Sequence, residues 1–117
     1  MGELAHTASQ FGRRRSPRLR LGMPARLVTL EGSFPVVLEN LSEGGAKITL
    51  PAAAEFTVCV LRWMDYHGFA DVVWREDLAV GLQFDQPITL EMLEATCKYA
   101  GGRLTRTWPG EPALRRC

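Results

Sequence analysis

No uncharged apolar run in this 117-residue chain approaches the ~20 residues that a membrane-spanning helix needs. A secretory leader is also missing from the expectation, because Glu3, His6, Ser9 and Gln10 interrupt the apolar residues before the arginines begin. His6 stands where a myristoylation signal needs Ser or Thr, and Cys117 is terminal rather than four from the end. A soluble, cytoplasmic domain is expected. Cysteine is scarce: Cys59, Cys97 and Cys117 form no C-x-x-C pair, and an odd number cannot close a disulfide framework. Only His6 and His67 could join them, too few for a zinc site. Cys59 and Cys97 are therefore expected as small buried hydrophobes and Cys117 as a tail thiol.

What remains is an ordinary globular composition, 46% apolar and 23% charged, of a size for one core. The net charge of +1 conceals a division along the chain. Residues 1–26 hold six arginines against Glu3, a net of +5. Residues 27–100 hold four basic side chains against eleven acids, a net of −7, and residues 101–117 return to +3. An acidic body with a basic arm suggests a local anion site, not a basic nucleic-acid surface.

Between Ala25 and Phe84, short alternating or apolar runs are broken by turn signals every 8–12 residues, the pattern of a barrel or sandwich. Strands are expected at about 25–31, 34–41, 45–50, 56–64, 69–75 and 78–84. Gly32-Ser33 is expected to form a two-residue hairpin turn, which would set Asn40 opposite Ala25. Pro35 must face a gap in its ladder. The period then changes: Leu90, Leu93, Cys97 and Ala100 share a helical face, with Thr89 as cap and Gly101-Gly102 as stop. The expected organisation is a flexible 1–12, a domain over 13–100 and a flexible tail over 101–117.

Two motifs carry chemistry. Arg14-Arg15-Ser16-Pro17-Arg18 has R-x-x-x-R spacing, and Asn40-Leu41-Ser42-Glu43-Gly44-Gly45 has N-x-S-x-x-G. Arginine presents a planar fork to phosphate oxygens, or to guanine O6 and N7, and stacks on bases. Asn40 can accept from the guanine N1 or N2 donors, Ser42 offers a short hydroxyl, and Gly45 permits close backbone approach. A folded-back arm would bring the arginines to the loop after Asn40.

These residues resemble the signature of the PilZ domain family, bacterial receptors for cyclic di-GMP, at Arg14, Arg18, Asn40, Ser42 and Gly45. The resemblance covers about residues 13–100 and extends to the Val80-Gly81-Leu82-Gln83-Phe84 strand and the final helix. It implies an all-β fold, a six-stranded antiparallel Greek-key-like β-barrel with a C-terminal α-helix. It also implies that the arginine arm wraps cyclic di-GMP against the barrel, with no other cofactor. In this family an arginine at the position of Arg13 accompanies a stacked ligand dimer. Arg13 and Arg15 are further candidates for phosphate contact, although solvated arm charges are the plainer reading. Trp74 is a candidate for base stacking, against ordinary rim packing. Trp63 suits the core, His67 a solvated turn, and Gly81 close strand packing.

No base and nucleophile pair up, so an enzyme is not expected. The expected role is a receptor that orders its arm on binding and signals to a protein effector. Two alternatives stand beside it. One is a PilZ-like adaptor that binds protein and no nucleotide. The other is a small barrel stacking single-stranded nucleic acid on Trp63, Trp74 and Phe69, which the acidic body disfavours.

Overall fold

Alternation builds this structure wherever it is strict. The computed structural model describes residues 17–101, 103–106 and 115–116. The strands are β1 (Pro17–Thr29), β2 (Gly32–Ser42), β3 (Gly45–Thr49), β4 (Val58–Trp63), β5 (Tyr66–Glu76) and β6 (Ala79–Phe84). All pair antiparallel in the order β1-β2-β3-β6-β5-β4, and β4 returns to β1 to close a six-stranded barrel. The link from β3 to β4 passes β6 and β5, which gives the Greek-key character. Arg75 ties that link down, donating to the carbonyls of Ala54 and Phe56 with its guanidinium 4.5 Å above the Phe56 ring.

Every second residue of the regular strands fills the barrel: Cys59, Leu61 and Trp63 from β4, and Val80, Leu82 and Phe84 from β6. Leu19, Leu27, Leu38, Leu41 and Ile48 complete the interior, each fully buried. Helix α1 (Leu90–Ala100) packs on this core through Leu93, Thr96 and Cys97. Thr89 caps it by accepting from the Met92 amide at 3.1 Å, and Gly101 ends it in the left-handed region at φ 67°. Buried Trp63 donates from Nε1 to Thr96 Oγ1 at 3.0 Å, so the helix and barrel share a satisfied polar contact. Among the described residues no helix is long and apolar enough to cross a membrane.

Three sequence expectations need correction. First, the β1–β2 turn is Leu30-Glu31, because Thr29 pairs with Gly32. Thr29 builds the turn itself: its hydroxyl accepts from the Glu31 amide at 3.1 Å and donates to the Gly32 carbonyl at 3.0 Å. Gly32 instead opens β2 at φ 134°, a conformation that favours glycine. The register therefore moves, so that Ala25 pairs with Val36, and a further shift within β1 between Arg20 and Met23 sets Asn40 opposite Arg20. Second, β1 begins at Pro17 rather than near Ala25, since its first residues find partners on both edges. On one edge they meet the end of β2, and on the other β7 (Arg103–Arg106), which itself pairs with β8 (Arg115–Arg116). These two short strands fall within the expected tail; residues 1–12 and the rest of the tail lie outside the described residues. Third, Cys97 is disulfide-bonded, not a free buried hydrophobe. Pro35 sits beyond the reach of β3, whose pairing with β2 stops at Val37, so the gap it requires is present.

Candidate functional site

Of the three register shifts among the barrel strands, the bulges in β2 and β5 re-aim side chains of the candidate site, and the third lies in β1 between Arg20 and Met23. In β2, Val36 and Leu38 point inward, so strict alternation would send Asn40 into the core. Glu39 is an extra residue against β3, where Leu38 pairs with Ile48 and Asn40 with Lys47. The phase flips there, so Leu41 becomes fully buried while Asn40 and Ser42 turn to the outer wall. A hydrogen bond pins the bulge, Thr49 Oγ1 donating to Glu39 Oε2 at 2.9 Å. In β5, Ala70 and Val72 face the core, and Val73 is the extra residue before Trp74 pairs with Gly81. Trp74 is thereby turned outward and remains 43% exposed.

The register then lines these residues up. Arg20 pairs with Asn40, Asn40 with Lys47, Lys47 with Gly81, and Gly81 with Trp74, a single row across five strands. At about 4.8 Å per strand the row covers roughly 19 Å of barrel wall. A second row runs beside it: Arg18 pairs with Ser42, and across the β2–β3 loop Gly45 pairs with Gln83 and Gln83 with Asp71.

Each candidate can now be located. Arg18 is exposed on β1, with its Cα partner Ser42 on the neighbouring strand. Arg13, Arg14 and Arg15 lie outside the described residues. Ser42 is half-buried and its hydroxyl donates to the Gly45 carbonyl at 3.3 Å, closing the loop between β2 and β3. That loop is also fastened to the end of β6 and the segment after it. The Gly44 carbonyl accepts from the Phe84 amide, and the Glu43 carbonyl from that of Ile88, both at 2.9 Å. Gly45 has a firm structural reason: a Cβ there would run into the backbone carbonyl oxygen of Leu82.

Gly81 serves Trp74. A Cβ at Gly81 would meet Nε1, Cε2 and Cδ1 of the indole, three consecutive atoms of the pyrrole ring at comparably short range. A ring approached in that way lies face-down on the glycine, leaving its other face to solvent. The wall thus offers carboxamide, hydroxyl and guanidinium groups at one end and a flat aromatic surface at the other. Such a set can hold an anionic, base-bearing ligand through charge-assisted bonds and stacking.

Other candidates are accounted for differently. Trp63 is 2% exposed and packs against Phe84 and Tyr66, so it cannot line a stacking groove. His67 belongs to β5 rather than to a turn and meets Phe69 edge-on. A shallow cavity of about 330 Å³ beside His67, Phe69, Asp85 and Met92 contains none of the motif residues. Burial pushes the Cys59 thiol up to about 11, with the Asp71 carboxylate adding to the rise and Arg75 opposing it. At neutral pH that side chain is a thiol and a poor nucleophile.

Arg20, Lys47 and Gln83 were missed from sequence, since they share no motif with Asn40 or Gly45. Only strand register, which depends on the true turn, on both of these bulges and on the shift in β1 between Arg20 and Met23, could have found them.

No curated protein matches the chain. The PilZ domain model, by contrast, matches residues 12–98 and so spans both motifs, all six barrel strands and most of α1. That family consists of ligand-binding and adaptor modules, generally non-enzymatic, and includes cyclic di-GMP receptors. With a match over most of its length and the barrel and helix the resemblance implied, the chain belongs to the PilZ domain family.

Proposed function

We propose that this protein is a bacterial, cytoplasmic receptor for cyclic di-GMP that performs no catalysis and passes its signal to a protein partner. One observation carries the reading: the bulge at Glu39 turns Asn40 and Ser42 outward, in register with Arg20 and Arg18. Two phosphates and two guanines are the chemistry these groups suit. Arg14 and Arg18 supply forks for phosphate oxygens or guanine O6 and N7, with Arg13 and Arg15 as additional cations. Asn40 accepts from a guanine N1 or N2 donor, and Ser42 and the chain at Gly45 border the ligand. Trp74 takes a purine on its open face. Ligand neutralises the repulsion among the arginines that precede β1 and orders them against the barrel. The altered surface is what the effector reads.

The test is calorimetric titration of the purified protein with cyclic di-GMP, beside GTP and a single-stranded oligonucleotide. Saturable binding of the cyclic dinucleotide alone supports the receptor. A second reading, a nucleotide-free adaptor, draws on the structural duties of Ser42 and Gly45, which suffice to explain those two residues. No binding of cyclic di-GMP would favour it.

A further inference from the structure

We infer that Lys47 is a further ligand-binding residue, a cation placed between Asn40 and the Trp74 platform to meet a phosphate of the bound dinucleotide. The inference rests on the receptor reading and extends it to a residue outside both motifs. Lys47 is the middle member of the row, Cα partner of Asn40 on one side and of Gly81 on the other. Ile48 beside it is fully buried, so Lys47 points to the outer wall with Asn40 and Trp74. Its burial is intermediate, and among the described residues it has no carboxylate partner and no side-chain hydrogen bond. The carboxylate placed beside this part of β3, that of Glu39, is engaged by the Thr49 hydroxyl, so the ammonium group of Lys47 is available to an anion.

The neighbours make that position specific. Gly81 has no side chain, so the wall between Lys47 and the indole is low, and a ligand stacked on Trp74 can lie close to the ammonium group. Two strand spacings, roughly 10 Å, separate Lys47 from Trp74, and one, about 5 Å, from Asn40. A nucleotide with its base on the indole and its phosphate toward the asparagine passes over Lys47. Lysine meets such a group as a compact point charge and needs no bidentate geometry, unlike Arg18.

The experiment measures cyclic di-GMP affinity at two salt concentrations for wild type, Lys47→Gln, Lys47→Arg and Asn40→Ala, with circular dichroism as a control on folding. Lys47→Gln should weaken binding about tenfold or more. It should also reduce the loss of affinity caused by salt, because one screened charge contact has gone. Lys47→Arg should stay within about threefold of wild type. If Lys47→Gln binds like wild type while Asn40→Ala is weakened, the role of Lys47 is overturned and the receptor reading stands. If wild type itself does not bind, both are overturned. A weakened Lys47→Gln whose salt dependence matches wild type would assign the residue to packing and also overturn the inference.

Discussion

Strands β4 and β6 keep one phase from end to end, whereas β2 and β5 change phase in mid-course. In the first pair the alternation does one job, sending Cys59, Leu61 and Trp63 or Val80, Leu82 and Phe84 inward. In the second pair the parity that builds core before the bulge builds surface after it. Val36 and Leu38 belong to the interior and Asn40 and Ser42 to the wall; Ala70 and Val72 are inside and Trp74 is outside. The same parity thus means opposite things on the two sides of Glu39 and of Val73. The residues inserted in β2 and β5 let one barrel close a core and also present a polar and aromatic surface. The cost is a local loss of ladder hydrogen bonds, confined to the places where the surface is re-aimed.

The sharpest way to break this comparison uses adjacent residues after the first bulge. Leu41→Ala should cost about 2–5 kcal/mol of stability in urea unfolding, since Leu41 is fully buried among large neighbours. Asn40→Ala should leave stability within about 0.5 kcal/mol and weaken cyclic di-GMP binding by about 1–3 kcal/mol. Asn40→Asp should bind as well as wild type or better, because a carboxylate accepts from both guanine donors. If Asn40→Ala unfolds the protein as Leu41→Ala does, the phase change is not what separates fold from site.

The second bulge yields a smaller effect. Gly81→Ala introduces a Cβ beneath the Trp74 indole, where only a displaced ring can accommodate it. Because Trp74 is partly exposed, the ring should swing off the wall rather than unfold the barrel, at a cost of about 1–3 kcal/mol. Tryptophan emission should shift to the red and ligand affinity should fall. In a Trp74→Ala background the same substitution should cost far less stability. Equal costs in both backgrounds would show that Gly81 does not seat the indole.

Strict alternation made most of the fold legible before any coordinates. Val80-Gly81-Leu82-Gln83-Phe84 reads as a half-buried strand, and the period change at Leu90 with Thr89 and Gly101 marks the helix and both of its caps. The site residues Asn40, Ser42 and Gly45 were legible as a motif, but their neighbours were not. A turn built by the Thr29 hydroxyl looks like any Leu-Glu pair in sequence, and glycine at Gly32 drew the turn two residues late. Bulges leave a weaker trace still. Val36, Leu38 and Asn40 fall on one parity, as do Ala70, Val72 and Trp74, and nothing in composition says that the third of each set leaves the interior. Arg20 and Lys47 stayed hidden for that reason.

The finest test concerns what holds the first bulge in place. Glu39 is the inserted residue, and its Oε2 accepts the Thr49 hydroxyl across to β3 in a partly buried setting. A hydrogen bond to a charged acceptor is worth about 1.5–3 kcal/mol at most, and partial exposure brings the expected value to about 1 kcal/mol. Glu39→Ala and Thr49→Val should each lower stability modestly, and the double variant should lose less than the two losses together, with a coupling of about 0.5–1 kcal/mol. The same variants should weaken cyclic di-GMP binding, because a bulge freed to shift no longer presents Asn40 in register with Arg20 and Lys47. Their effect should be smaller than that of Asn40→Ala, since the carboxamide is still there and only its aim is loosened. Additive losses with unchanged affinity would mean that the bulge is held by the packing of Leu38 and Leu41 on either side, and that the Glu39–Thr49 bond merely decorates it.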